Sequence, residues 1–346
     1  MHAADGSAYL SAHNNNIWKR IMVGLTRRSA LAGAVIGAAA SGEAFAQAYP
    51  SRTVRVIVPY TPGGITDIVT RLVAEQLGAN LGQQFIIDNR PGANSMIGAD
   101  ALAKSEPDGY TLGTVIGAHS ANATLYAGRI AFDPVGDFTP VSLIATSPLV
   151  MCSSAKLPFK DYAGFVAYAK ANPGKLSFGS SGVGSAAHLT SENLKRRLGI
   201  DMVHVPFRGT GPALTALMSG DIGILLDTLS SLKPQMDAGT IHGIAIAGQK
   251  RSAYAPDVPT YIEAGLPDFV SGTWVMLLGP KNLPAPILDR LSKETMRITQ
   301  GASVKTRLEG LGIDPVGSTP AEALAFLKSE VAKWGGVIRE AQIKVE

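Results

Sequence analysis

The stretch 54–67, VRVIVPYTPGGITD, limits what this chain can fold into more than any other. Val54, Val56 and Val58 alternate through an apolar run that reads as a buried strand. Pro59 ends it, because proline cannot donate to a central ladder. Pro62-Gly63-Gly64 then forces a tight turn, and glycine leaves the backbone bare to an approaching ligand. Thr66 or Asp67 is placed to cap a helix whose apolar positions Ile68, Val69, Leu72, Val73 and Leu77 recur at helical spacing. Strand, bare turn and helix N-terminus open a βα unit. The free N–H groups and partial positive charge of such an end suit a carboxylate or phosphate. Many α/β proteins nevertheless carry a glycine-rich first turn that binds nothing.

The same alternation continues. Strands are expected at 85–88 and 111–116, a helix at 95–104 and a turn at Pro107-Asp108-Gly109. The run 138–153 is long and extended, broken at Ser147-Pro148, and reads as a crossover between lobes. A second series follows, with helices at 162–171, 186–198, 213–218 and 232–238, and strands at 176–178, 202–205, 222–226 and 243–247. The apolar run 274–278 is a return crossover. Helices at 285–299, 304–311 and 320–343 close the chain. In the last, Leu324, Leu327, Val331, Trp334 and Ile338 form one stripe, expected to pack on its own lobe. With 46% hydrophobic and 17% charged residues, 38 glycines and 21 prolines, the composition fits a turn-rich α/β chain and not a disordered one. The expectation is two mainly parallel sheets flanked by helices. Residues 49–146 with 275–346 make lobe 1, 147–274 make lobe 2, and two crossover strands form the hinge. A cleft then lies where the carboxyl ends of the strands meet.

Residues 1–48 read as an export signal with an N-terminal extension. Arg27-Arg28 precede an Ala/Gly-rich apolar run at 30–40, followed by cleavage options after Ala46 or Ala48. The arginine pair suggests twin-arginine export, with the general secretory route left open; Met22 is an alternative initiator. The run is too short and glycine-rich for a membrane span. No cysteine stands at the cleavage site to carry a lipid anchor. Cys152 is the only cysteine, so no internal disulfide can form. These features predict a periplasmic location. The net charge of +4 is spread along the chain, and no basic patch interleaved with aromatics suggests nucleic acid. A monomer is expected.

A second glycine turn, 179–185 (GSSGVGS), repeats the opening pattern in the second lobe. Ser180, Ser181 and Ser185 add hydroxyls to the bare amides of Gly182 and Gly184. Pro206-Phe207-Arg208 ends another strand, where Phe207 and Arg208 either line the cleft or sit in core and surface. Asp227 either accepts from a ligand amine or hydroxyl or caps the next helix. Gly182-x-Gly184-x-x-Ala187 matches a dinucleotide fingerprint, but Asp201 precedes the next strand when it should end it. The same turn misses G-x-S-x-G at Val183. Ser185 and His188 are three apart on one helix without an evident orienting group, so a serine hydrolase is the weaker reading. No metal spacing and no phosphate-loop lysine occur, and no cofactor is signalled.

Together these residues resemble the solute-binding receptors of tripartite tricarboxylate transporters, the Bug-type proteins. The resemblance rests on Tyr49-Pro50, VPYTPGGITD at 58–67, DNRPGAN at 88–94 and PDGYTL at 107–112. It continues through GSSGVGSAAHL at 179–189, HVPFRGTGPAL at 204–214, KRSAYAPDVPTYIEAGLP at 250–267 and the Trp334 helix. It implies a two-lobed periplasmic-binding-protein fold of the Venus flytrap type, no enzymatic activity, and an organic carboxylate as ligand. Di- and tricarboxylates, acidic amino acids and aromatic carboxylates are the family's range. It implies that one carboxylate meets Tyr60, Thr61, Pro62, Gly63, Gly64, Thr66 and Asp67. The rest of the ligand then faces Ser180–Ser185 and Pro206–Arg208, with His119, Ser147 and Asp227 also at the cleft. Membrane transporter subunits are the implied partner; a periplasmic sensor subunit serving a kinase is the alternative. The chain departs from the commonest pattern at Ile65 and at Phe207-Arg208, which bear on the distal pocket.

Overall fold

A computed structural model describes residues 49–345; the expected export signal at 1–48 lies outside the described residues. The first sheet is built from β1 (Val54–Val58), β2 (Phe85–Asn89) and β3 (Thr111–Val115), paired in parallel in the order 2-1-3. Its helices are α1 (Ile65–Leu81), α2 (Met96–Ala103) and α3 (Gly117–Leu125). The sequence pattern does not indicate α3. Its small residues lack an apolar stripe because nearly all of it is buried: Gly117 through Asn122 are enclosed.

One strand then joins the two sheets. β4 (Phe138–Ser154) is continuous where a break at Ser147-Pro148 is expected. Its first part pairs antiparallel with β9 (Gly272–Pro280), and its second part enters the other sheet. At the crossing Pro148 opposes Gly272. A Cβ on Gly272 would stand 2.5 Å from the Ser147 carbonyl oxygen, so only glycine lets the two backbones meet there.

The second sheet contains β5 (Leu176–Ser180), β6 (Met202–Pro206) and β7 (Ile224–Thr228) in parallel, with β8 (Ile241–Ile246) on the other side of β4. Its helices are α4 (Tyr162–Ala171), α5 (Ala186–Leu198), α6 (Thr210–Ser219) and α7 (Leu229–Asp237). α6 begins three residues before its expected start. Pro212 sits in its first turn, where a missing N–H costs nothing. Each lobe has its own core. Phe165, Phe178 and Tyr261 anchor one side of the second sheet, and Trp274, Met276 and Leu327 anchor the first lobe.

The chain ends in α8 (Ala285–Gln300), α9 (Ala302–Glu309), the short β10 (Asp314–Pro315) and α10 (Pro320–Glu340). A reciprocal capping box between Thr319 and Glu322 starts α10. Its apolar stripe does not stay on one lobe. Ala323 and Leu327 pack in the first lobe's core, whereas Trp334, Val337 and Ile338 cluster with Ala121 and Leu125 of α3 and Leu189 of α5. An Arg196–Glu340 ion pair at 3.2 Å adds a polar tie between α5 and α10. No helix among the described residues is long and apolar enough to cross a membrane.

Candidate functional site

The first glycine turn is held from outside by charge. α1 starts with Gly64 as N-cap and no side-chain cap, which corrects the expectation that Thr66 or Asp67 caps it. Thr66 is buried, its carbonyl accepting the Thr70 hydroxyl. Asp67 is buried too, and both its oxygens are taken. Oδ2 accepts the Gly63 N–H at 3.0 Å and Arg71 Nε at 2.9 Å; Oδ1 accepts Asn89 Nδ2 at 2.9 Å. Burial pushes the Asp67 carboxyl up, but Arg71, the Gly63 amide and Asn89 outweigh it and hold the group below its usual range. Asn89 also donates to the Tyr60 carbonyl at 3.0 Å. Thr66 and Asp67 therefore build the turn and do not face a ligand. The turn itself, Thr61-Pro62-Gly63-Gly64, is exposed, and a Cβ on either glycine would meet nothing within 4 Å. α1 therefore starts without a side-chain cap, and the backbone at Gly63 and Gly64 borders free space.

The second turn is held from inside by neutral rings. His188 and His204 stack with centroids 3.9 Å apart, and Phe178 stacks on His204 at 4.8 Å. His204 Nε2 and the Ser180 hydroxyl lie 2.7 Å apart, and His188 Nδ1 accepts the Gly184 N–H at 3.1 Å. Burial pushes the His188 imidazole down to about 3, with His204 and Lys195 adding to it. Burial and Lys195 push His204 down to about 4. Ser180 Oγ also accepts the Gly182 N–H, and Ser185 Oγ caps the His188 N–H at 3.3 Å. Most donors of this turn are thus spent internally. Ser181 is the hydroxyl with no partner among the described residues. The Ser185–His188 pair cannot work as nucleophile and base, because the imidazole Nδ1 already holds a backbone amide.

The second turn meets the first lobe at Leu125 and Asn94. A Cβ on Gly184 would stand 2.4 Å from Leu125 Cδ1 and 3.4 Å from Asn94 Nδ2. Asn94 is fixed by a reciprocal amide pair: it donates to Asn122 Oδ1, and Asn122 donates to the Asn94 carbonyl, each at 2.8 Å. Ala93, Asn94 and Ser95 all have positive φ, an unusual run for residues other than glycine. Ser95 and Tyr60 are neighbours whose buried hydroxyls lack a well-formed hydrogen bond. Burial raises the Tyr60 phenol and the Ser95 hydroxyl pulls it back. The contact of this segment with the second turn depends on Asn122 of α3, a helix with no periodic signal.

The remaining expected residues divide. Pro206 and Arg208 are exposed beside the second turn, and Arg208 makes no side-chain bond among the described residues. Phe207 is half-buried on the second lobe's core, its N–H bonded to the Ser180 carbonyl at 3.0 Å. Asp227 is buried, which raises its carboxyl against the Thr210 hydroxyl at 2.7 Å and the Thr228 amide at 2.7 Å. His119 is corrected outright. It is fully enclosed, stacked on Phe132 and edge-on to Phe138. Its Nε2 donates to the Pro134 carbonyl at 2.8 Å, and burial pushes it down to about 4. It belongs to the core of lobe 1. Ser147 is corrected as well: it is buried at the hinge, donating to the Gly312 carbonyl at 3.3 Å. No group of His, Cys, Asp and Glu that could hold a metal occurs among the described residues.

Comparison with known proteins gives a consistent answer. Residues 69–343 match the family described as "Tripartite tricarboxylate transporter family receptor". BugT of Bordetella pertussis is 33% identical over 328 residues, covering 93% of this chain and 99% of that protein. Two solved structures are alike along nearly their whole length. Rpa4515 of R. palustris, solved with adipate, has a TM-score of 0.79 at 34% identity, covering 86% of this chain and 99% of that one. MatC of Rhodopseudomonas palustris, solved with bound malate, has a TM-score of 0.74 at 35% identity, covering 84% and 100%.

Proposed function

This chain belongs to the tripartite tricarboxylate transporter receptor family, a family of solute-binding receptors and not of enzymes, and from that premise we propose that it captures an organic carboxylate in the periplasm and closes its lobes around it. The observation that carries this reading is the open first turn: exposed glycines, an uncapped helix start, and an acidic neighbour already neutralised by Arg71. One carboxylate of the ligand sits on the amides of Gly64 and Ile65, the Gly63 amide being held by Asp67. Its body lies against the second turn at Ser181 and Gly182, and its distal end reaches toward Arg208; Asp227, buried and bonded to Thr210 and Thr228, stays in the fold. The adipate and malate in the related structures support a small di-acid as the preferred class.

A micromolar ligand gains about 8 kcal/mol. A helix end supplies roughly 0.3–1 kcal/mol, up to about 2 when partly buried. Most of the affinity must therefore come from hydrogen bonds and contacts made only when both lobes touch the ligand. Residues 49–146 with 275–346 move as one body and 147–274 as the other, bending near Thr146–Met151 and Thr273–Leu278. The filled receptor is then read by membrane subunits of a transporter.

The test is calorimetry and thermal shift with adipate, malate, glutamate and benzoate on wild type and Gly64→Val. A Cβ at Gly64 meets nothing within 4 Å and the position is exposed, so the variant should stay folded. The expected result is binding of at least one carboxylate, weakened about tenfold or more in the variant. Equal affinity in both proteins, or stabilisation by uncharged solutes alone, overturns the assignment.

A further inference from the structure

The last helix is fixed to one lobe and touches the other. In the first half of α10, Ala323 and Leu327 are set in the first lobe's core. At its middle the buried Glu330 carboxylate accepts two indole N–H groups. One is that of Trp274, on the hinge strand β9, at 3.0 Å, and the other that of Trp334, in α10 itself, at 2.8 Å. Just beyond, α10 passes close to α3: a Cβ on Gly335 would stand 3.0 Å from Thr124 Oγ1. Core packing, hydrogen bonds and a tight helix contact thus hold α10 on the first lobe.

The other side of the contact is α5, which has two buried faces. Ala187 and Leu194, two helical turns apart, pack in the second lobe's core. Leu189 and Arg196, also two turns apart, stand on the opposite face. Leu189 is buried among Ala121 and Leu125 of α3 and Trp334, Val337 and Ile338 of α10. Arg196 pairs with Glu340, but both side chains are exposed and such a pair contributes little. The apolar cluster therefore carries the contact. It is continuous with the second turn, because Leu125 also abuts Gly184, where an added Cβ would stand 2.4 Å from it. The cleft is open in this arrangement, since Thr61, Pro62, Gly63, Gly64 and Arg208 are all exposed.

We infer that this cluster is a latch between the lobes, which holds the open angle and so sets ligand affinity from outside the cleft. A close-packed contact does not deform continuously; it holds, or it slips to another packing. A ligand that touches both turns needs the second lobe to move over the first turn. The Leu189 face of α5 then has to slip along the fixed surface of α3 and α10. Slipping offsets part of the binding free energy, so the observed affinity is the intrinsic one reduced by the fraction of receptor able to close. Loosening the cluster raises that fraction. Truncating a residue that never meets the ligand then tightens binding, although it weakens the fold. The effect on affinity rests on the carboxylate reading; the effect on lobe angle does not.

The test uses two readouts. Cys152 is the only cysteine and is buried, so spin labels go on Lys328→Cys in the first lobe and Lys175→Cys in the second, both exposed positions. Distances between the labels are measured without ligand in the parent, in Leu189→Ala and in Val337→Ala. The last is a smaller truncation on the α10 side, and it decides the matter if Leu189→Ala does not fold. Adipate and malate are titrated by calorimetry into the unlabelled proteins. One narrow distance is expected for the parent, and a broader distribution with a second distance for each variant. The acid that wild type binds should bind about fivefold more tightly to Leu189→Ala and about twofold more tightly to Val337→Ala. The proposal is overturned if the distances in the folded variants match those of the parent, or if the variants bind the acid no more tightly than wild type. If neither acid binds wild type, the carboxylate reading fails, and the label distances alone decide on the latch.

Discussion

The two glycine turns look alike in sequence and are built on opposite principles. The first is exposed, and a charged network of Asp67, Arg71 and Asn89 outside the binding face holds its shape. The Gly63 amide is spent on Asp67, and those of Gly64 and Ile65 carry no partner among the described residues. The second is enclosed, and a stack of Phe178, His204 and His188 holds it from beneath. Its amides are largely consumed. Glycine serves access in the first turn. In the second it serves packing, since Gly184 lies against Leu125 with φ at +79°. A two-lobed receptor needs both: one surface that accepts charge and one rigid surface that the lobes can close upon.

The largest effect that could break this contrast is steric. Gly184→Ala puts a Cβ into Leu125 at a backbone conformation that alanine resists. A loss of about 2–4 kcal/mol in urea unfolding is expected, against less than about 0.5 kcal/mol for Gly64→Ala. Similar losses at the two positions would erase the distinction between packing and access.

The next test removes the external support. Asp67→Ala leaves the Gly63 amide and Arg71 without their acceptor, and should cost about 1–3 kcal/mol. Carboxylate affinity should fall with it, because the turn loses its shape. A variant with intact stability and weaker binding would instead mean that Asp67 touches the ligand.

Acid should act on the second turn. His188 and His204 have folded values of about 3 and about 4, below the ordinary 6.5, so the unfolded chain binds protons first. Their neutral stack contributes fully above about pH 6.5 and is progressively lost as pH falls toward about 4 and then about 3. Denaturation curves of wild type and His188→Gln between about pH 7 and about pH 4 should converge on acidification. Parallel curves would remove His188 from the explanation. Asp67, held low, keeps its charge throughout most of this range and so leaves the first turn unaffected.

The smallest effect concerns Arg208. Its exposed guanidinium should contribute to a di-acid through long-range attraction, so Arg208→Gln should weaken adipate about threefold and benzoate hardly at all. Added salt should close that gap. An equal loss for both acids would place Arg208 against the first carboxylate.

Apart from α3 and the short β10, the element order, the two glycine turns and the long crossover were legible in the residues, because they depend on local rules: periodicity, the φ freedom of glycine and the missing N–H of proline. So were α4 and α5, whose ends agree with the apolar pattern. What the residues did not reveal was which way a side chain faces. His119 follows a strand end much as the residues of the first turn do, yet Phe132 and Phe138 enclose it. The stripe of α10 has one helical period along its length, but its upper half packs against α3 and α5, the latter in the other lobe. Ser147-Pro148 reads as a break in isolation and becomes continuous strand only because Gly272 comes close enough to pair with it. Local conformation follows from neighbours in the chain. Burial, and hence the division between ligand-facing and core residues, follows from contacts between segments far apart in sequence, and only the folded arrangement of the two lobes decides those.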